Sequence, residues 1–160
     1  MNLYGLAISK SRNGLGIFTL SAYDSGDKLF ELEGRLIDDA KMVGIPKKIR
    51  DNTFRISEKY YLSPKGFLGD FLNHSCNPNV KLVVRKNRRY IVAITRIGKN
   101  RELLLDYSTI LANDDGWDMK CNCGYRFCRG LIDMYQYLPS LVLKRYTEKK
   151  IIPKYILDIK

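Results

Sequence analysis

The sequence predicts a mainly β fold of several small sheets, finished by one short helix near the C-terminus. Three observations predict it. Short runs rich in β-branched and aromatic residues recur between Gly, Asn, Asp and Pro. Helix signals are weak before residue 139. The 160 residues are 45% hydrophobic and 28% charged, which suits one globular domain with a sizeable core.

Taken in order, residues 3–8, 16–20, 28–37 and 59–62 read as strands. The stretch "KLVVRKNRRYIVAIT" (81–95) reads as a hairpin, with arms at 82–85 and 90–95 around a basic four-residue turn. "ELLLDY" (102–107) reads as a largely buried strand. "PSLVLKRYTEKKIIP" reads as a helix capped by Ser140 and stopped before Pro153. Leu138, Val142 and Tyr146 stand four apart and form its expected inner stripe.

Lys and Arg number 28 against 17 Asp and Glu, a formal charge of +11. That balance points to an acidic partner, nucleic acid or an anionic surface; a solvated lysine-rich surface explains it equally well. The basic residues gather in "PKKIR" (46–50), "RKNRRY" (85–90) and "KRYTEKK" (144–150). No run approaches the roughly 18 apolar residues of a membrane span. "MNLYGLAISKSRNG" lacks a signal peptide's layout, so an intracellular setting with reduced thiols is expected.

The four cysteines are Cys76, Cys121, Cys123 and Cys128, the last three in "CNCGYRFC". Four thiolates suit one tetrahedral zinc ion. Cys separated by one residue are poorly placed to bond each other. Completing the set with Cys76 requires two segments about 45 residues apart to meet in space. The alternative is three loosely grouped thiols and a buried fourth. A closed four-thiolate site has no open position for water, which argues against hydrolytic zinc chemistry. Cys76 sits in "FLNHSCNPNV" beside His74, the only histidine. "SRNGLGIF" carries Gly14 and Gly16, which permit close backbone approach to a ligand but serve a hairpin turn as well. It is not a dinucleotide fingerprint, because no helical pattern follows and the third glycine is absent.

Together, "SRNGLGIF", "FLNHSCNPN", "ELLLDY" and "CNCGYRFCRG" occur in an order and spacing that resembles the SET-domain protein lysine methyltransferases with a post-SET zinc loop. The resemblance runs from about residue 3 to 132. Asn-His-Ser-Cys-x-Pro-Asn is its most specific string; Gly-x-Gly and Asp-Tyr are weak singly. The resemblance implies a SET fold with a knot-like core in which the "NHSC" and "ELLLDY" segments thread past each other, a rare arrangement. It implies a SET domain at 1–112, a post-SET zinc-binding segment at 113–132 and a C-terminal helical tail at 133–160. It also implies S-adenosylmethionine and Zn2+ as cofactors, with methyl transfer to a lysine amine of a protein, a histone or another basic nucleic-acid-associated protein. The expected partners are that protein and, through the basic surface, DNA or a nucleosome, with no membrane. The expected location is the nucleus or cytoplasm, a host's nucleus included if the source is viral or bacterial.

The resemblance carries roles to individual residues. The backbone of Gly14, Leu15 and Gly16 embraces the cofactor's methionine end. Asn73 holds its amino group or nearby backbone, and His74 contacts its adenine region through the main chain. Tyr107 matches the catalytic tyrosine. Leu105, two residues earlier, stands where the family often has Phe or Tyr; lacking a hydroxyl, it leans against strict monomethylation. Asp70 stands where the family favours Arg. The aromatic that often follows the zinc cysteines is absent, and Leu131 or Ile132 is expected to close the cofactor pocket. Cys76, Cys121, Cys123 and Cys128 hold the metal. Asp114, Asp115 and Asp118, in "NDDGWD" (113–118), are candidates to edge a groove for a basic peptide, with a solvated turn as the plainer reading; Trp117 covers the cofactor or packs under the loop. Two other readings compete: an inactive SET-like module, and a zinc-bearing nucleic-acid-binding module. The latter leaves "NHSC" and "LDY" unexplained.

Overall fold

The computed structural model describes residues 5–159; the first part of the strand expected at 3–8 lies outside them. Strands β1 (Leu6–Ser11) and β2 (Gly14–Thr19) form an antiparallel hairpin in register from Leu6↔Thr19 to Ser11↔Gly14. Its turn closes at Gly14, at φ +99°, a conformation that glycine adopts without steric cost. The run expected at 28–37 is two strands in different sheets, β3 (Lys28–Glu31) and β4 (Arg35–Asp38). Gly34 between them lies against the Ser63 carbonyl, where a Cβ would collide with backbone. The chain changes sheets at the one residue small enough to pass.

A 310 turn (Asp39–Gly44) and the short helix α1 (Lys47–Arg50) lead to β5 (Phe54–Arg55) and β6 (Tyr60–Ser63). β6 is the centre of the three-stranded sheet β4-β6-β5. After a second 310 turn (Leu68–Phe71) comes the two-residue β7 (Asn73–His74). The basic hairpin is β8 (Val80–Arg85) and β9 (Arg88–Ala93). Its turn is two residues, Lys86 and Asn87, both at positive φ, and not the four expected. Two-residue turns with positive φ match the twist of the flanking strands.

Of "ELLLDY", only β10 (Leu104–Leu105) is strand; a 310 turn (Tyr107–Ile110) follows directly. β10 runs parallel to both β7 and β8 and lies between them in the five-stranded sheet β3-β9-β8-β10-β7. β7 and β8 are consecutive in the chain, so a later segment has been inserted between two earlier ones. The "NHSC" and "ELLLDY" segments are thereby brought side by side, as the resemblance implied. Asn79 fastens it: its amide donates to Glu102 O at 2.7 Å and its side-chain oxygen accepts from Leu104 N–H at 2.8 Å. Leu103 and Leu105 are fully buried in the main core with Leu6, Ile17, Leu82 and Ile91.

β11 (Met119–Lys120) and β12 (Leu131–Ile132) bracket the cysteine loop. A 310 turn (Tyr135–Tyr137) leads into α2 (Ser140–Glu148), and α3 (Lys154–Asp158) ends the described chain. Ser140 is the first helical residue, not the cap; Pro139 holds the cap position, and no side chain caps the helix. α2 stops before Pro153, at Lys150 (φ +51°), where Ile151 N–H reaches back to Tyr146 O at 2.8 Å. Leu138 and Tyr146 are buried and Val142 packs beside them, as the spacing predicted; Ala112, Ile151, Ile152, Ile156 and Ile159 complete this second core. Among the described residues, no helix is long and apolar enough to cross a membrane.

Candidate active site and metal centre

The inserted strand brings "NHSC" and "LDY" side by side. Leu104 pairs with Asn73 and Leu105 with His74. Tyr107 N–H then donates to His74 Nδ1 at 3.1 Å. Burial lowers His74 to about 4, against the pull of Asp106, so the ring is neutral at physiological pH. With Nδ1 accepting, the proton resides on Nε2, 3.5 Å from Cys76 Sγ. An imidazole in this tautomer presents no lone pair from Nε2 to a metal. It instead orients the Cys76 sulfur.

Cys76 Sγ lies 3.7 Å from Cys121 Sγ. A tetrahedron of sulfurs around zinc, with bonds near 2.3 Å, has edges of about 3.8 Å. The donor atoms of His74, Cys76, Cys121 and Cys123 all lie within 4.8 Å of one another. Cys128 packs against the same buried cluster but is not one of those four donors. Backbone N–H groups of Arg129 and Gly130 reach the Cys76 and Cys128 sulfurs, each at 3.4 Å. Burial pushes the Cys76 thiol up to about 11 and Cys121 higher still. Burial also raises Cys123, but N–H groups of Cys76 and Tyr125 outweigh it and hold that thiol near its lowered value of about 7. A divalent cation among the sulfurs reverses the burial penalty, because it makes each thiolate the favoured form. Donor type, spacing and N–H support all fit zinc.

Gly14, Leu15, Gly16 and Asn73 converge as expected. Asn73 Nδ2 donates to Leu15 O at 2.9 Å and to Glu102 Oε1 at 2.8 Å, and Ser11 Oγ donates to the same carboxylate oxygen at 2.6 Å. A Cβ on Gly16 would collide with the Glu102 carboxylate and press on the Asn73 amide. The cysteine loop leans over the same hairpin: Gly124, at φ +73°, lies against the Arg12 guanidinium, and Asn122 donates to Asn13 at 3.3 Å. Residues 12–16, 73–74 and 122–124 thus come together, with Glu102 and Asn73 filling the space beside Gly16 and Arg12 the space beside Gly124. Leu131 is half-exposed on β12, while Ile132 is buried against the cysteines.

Tyr107 also lines a cavity of about 820 Å3. Tyr107, Ile110, Leu111, Trp117 and Phe54 supply apolar wall, and Asp114, Asp115 and Asp118 are on its rim. Tyr107 donates its hydroxyl proton to Leu72 O at 2.6 Å. Burial, then Glu102, pushes the phenol well above its ordinary range, so it stays protonated. Leu105 is fully buried in the main core and does not line this cavity. Asp114 and Asp115 are anchored on Arg55, a buried guanidinium of β5; Asp115 also accepts from Tyr61 and from Ala112 N–H. Trp117 Nε1 donates to Asp51 at 3.1 Å, tying the acidic loop to the segment after α1.

Several site residues escaped the sequence reading. Asp106, fully buried, accepts two bonds from Arg129 (2.7 and 2.8 Å), one from Ser108 N–H (3.1 Å) and one from the Tyr146 hydroxyl (2.9 Å). It ties the segment carrying Tyr107, the cysteine loop and α2 together. Arg55 and Glu102 were also missed. Glu102 and Asp106 bracket an apolar run, a signal of carboxylates held at the ends of a buried strand; nothing in the sequence marks Arg55.

The SET domain family model matches residues 14–108. The chain belongs to the SET-domain family. The match takes in Gly14 and Gly16 on β2, the inserted strand and Tyr107, and it stops before the cysteine loop. The SET domain is similar to the histone-lysine N-methyltransferase ASHR3 of Arabidopsis thaliana, at 26% identity over 152 residues, covering 86% of this chain and 29% of that protein. It is similar to an H3 lysine-4 specific histone-lysine N-methyltransferase of Saccharomyces cerevisiae, at 28% over 130 residues, covering 74% and 12%. It is likewise similar to an H3 lysine-36 specific one of Chaetomium globosum, at 30% over 139 residues, covering 78% and 15%. The chain thus spans less than a third of each of these relatives.

Proposed function

We propose that this SET domain transfers a methyl group from S-adenosylmethionine to the side-chain amine of a lysine in a protein, a histone or another basic nucleic-acid-associated protein. The observation that carries the reading is that Tyr107 lines the 820 Å3 cavity and directly follows β10, whose partner strand β7 reaches the glycine hairpin through Asn73. The cradle of Gly14, Leu15, Gly16 and Asn73, with His74 behind it and Leu131 beside it, is the cofactor's place in this reading. Bound S-adenosylmethionine supplies an electrophilic methyl on a sulfonium leaving group.

The chain's own residues do the rest. A lysine amine attacks only when neutral, and its ordinary pKa near 10.4 keeps it mostly charged at neutral pH. The apolar wall of Ile110, Leu111 and Trp117 disfavours the ammonium and promotes proton loss. The Tyr107 proton is already given to Leu72 O, so the phenol oxygen offers only lone pairs to the reacting groups. It orients the amine and makes weak C–H···O contacts, and positioning of this kind supplies much of the rate. Cys76, Cys121, Cys123 and Cys128 hold a structural zinc that pins the loop over the hairpin turn. Residues 113–132 act as the zinc lobe and 133–159 as a helical buttress. The relatives carry two different lysine specificities in their names, so the target lysine is set by details they do not share. Such a substrate puts the domain to work in the nucleus or cytoplasm.

The test is incubation with labelled cofactor and a panel of histones, nucleosomes and other basic proteins, with mass spectrometry to locate the product. Tyr107→Phe is expected to lower turnover on the order of 10²-fold, a usual cost of losing one transition-state contact, with cofactor affinity unchanged by calorimetry. Cofactor binding without turnover on any lysine would make the domain a SET-like binding module instead.

A further inference from the structure

Away from Tyr107, the outer face of the five-stranded sheet carries a second concavity of about 490 Å3. Along β8, Val80, Leu82 and Val84 face the core, so Lys81, Val83 and Arg85 face outward. Residues directly opposite in a sheet share a face. The register Lys28↔Val92↔Lys81 therefore makes one outward row across β3, β9 and β8; Tyr90↔Val83 makes the next and Arg88↔Arg85 the last. Lys81 and Arg85 stand about 13 Å apart along the strand, and Lys28 and Lys81 about 10 Å apart across it. Lys149, at the end of α2, supplies the remaining wall.

The charges lining this cleft are of one sign. Lys28, Lys81, Arg85 and Lys149 line it, and among the described residues no acidic side chain does. Carboxylates near the lining residues in sequence are engaged elsewhere: Glu31 on Arg88, Asp27 on Asp24 N–H, Asp24 near Arg96, and Glu148 near Lys144. A helix C-terminus, which presents carbonyls, would by itself repel an anion. Here Lys81 Nζ donates to the Lys149 and Lys150 carbonyls, at 3.4 and 3.1 Å, and cancels that effect. Tyr90 is the one aromatic ring in the lining, and it is engaged with the cations Lys28 (4.5 Å) and Arg88 (5.3 Å). A ring so engaged is not free to stack on a base, as single-strand binders require. What the face offers is cations at fixed spacing.

From this juxtaposition, we propose that the cleft between β3, β9, β8 and the end of α2 binds the phosphodiester backbone of a duplex nucleic acid. The proposal deepens the reading of a nucleic-acid-associated substrate: the cleft holds the nucleic acid while Tyr107, following β10 of the same sheet, faces the protein that rides on it. It predicts binding without sequence preference, dominated by counterion release.

The test is fluorescence anisotropy of labelled duplexes titrated with the whole chain across a salt series, without cofactor or lysine substrate, so that failed methyl transfer and failed binding are read separately. The triple variant Lys28→Ala, Arg85→Ala, Lys149→Ala removes three exposed cations and leaves Lys81 of β8 bonded to the carbonyls at the end of α2. With about 0.9 counterions released per phosphate contact, the slope of log K against log salt should flatten by about 2.7, and affinity at 0.1 M salt should fall on the order of 10²-fold. A control triple, Lys41→Ala, Lys48→Ala, Lys65→Ala, carries the same change of charge and should leave both quantities near wild type. Thermal melts by circular dichroism check that both variants fold. Equal losses in the two triples would mean diffuse attraction and overturn the site. So would binding to phosphatidylserine vesicles but not to duplexes, or tighter binding to single strands that Tyr90→Ala abolishes. Parallel duplex DNA and duplex RNA arms identify the source of the phosphates; binding to neither overturns the proposal.

Discussion

Tyr146→Phe tests how firmly the C-terminal helix is tied to the segment carrying Tyr107. Asp106 is wholly buried, and its two oxygens accept four hydrogen bonds, from Arg129 twice, Ser108 N–H and the Tyr146 hydroxyl. The Tyr146 ring is itself fully buried, so the Phe variant keeps the packing and deletes only one donor. A hydrogen bond to a charged group contributes about 1.5–3 kcal/mol, and Arg129 still holds the same oxygen at 2.8 Å. The expected loss is therefore about 2 kcal/mol, or roughly 4–8 °C in Tm for a chain of this size. Arg129→Met leaves the buried carboxylate without its counter-charge and should cost more, about 3–5 kcal/mol. Because both donors meet on Asp106, the double variant should depart from additivity by about 0.5–3 kcal/mol. Urea unfolding followed by circular dichroism, with excess zinc present, measures all three variants. A Tyr146→Phe loss within about 0.5 kcal/mol of zero, or additivity to within that margin, would refute the idea that helix, cysteine loop and the segment carrying Tyr107 share one buried charge.

Three further outcomes are expected. Elemental analysis should find one equivalent of zinc in the wild-type chain and none in Cys76→Ser, whose cysteine loop should become open to proteolysis, and chelation of the wild-type chain should do the same; full zinc retention by the variant would remove Cys76 from the metal site. Gly16→Ala should preserve the fold while weakening S-adenosylmethionine binding measured by calorimetry, because its Cβ would displace the Glu102 carboxylate from the cradle; unchanged affinity would put the cofactor elsewhere. Trp117, the chain's single tryptophan, lines the cavity and is tied to Asp51. Its fluorescence should therefore shift on titration with a Lys/Arg-rich peptide and not with a Glu-rich one, and no response to either would count against the cavity as the peptide groove.

Much of the site was legible in the sequence because its motifs act through local constraints. A glycine pair needed for bare backbone, a thiol spacing suited to one metal and a proline-bounded Asn-His-Ser-Cys string each keep their meaning wherever the chain places them. The β-rich class was legible too, since short alternating runs read the same in any sheet. Boundaries were less so: the run at 28–37 holds a single glycine, Gly34, and only its place against Ser63 shows that the chain changes sheets there. Ser140 looked like a helix cap because it is a good one, yet Pro139 already occupies that position.

By itself, the sequence determined the chemistry available: four thiols, one imidazole, a phenol after a buried apolar strand, and a strongly basic surface. The tertiary structure alone decided which of these meet. The insertion of β10 between β7 and β8 sets His74 behind Cys76, aims the Tyr107 hydroxyl at Leu72 O, and buries Asp106 where Arg129 and Tyr146 converge on it. The physical reason is range. Propensity and spacing act over a few residues, whereas a buried charge finds its partners across 23 residues to Arg129 and 40 to Tyr146 only once the surrounding core has closed.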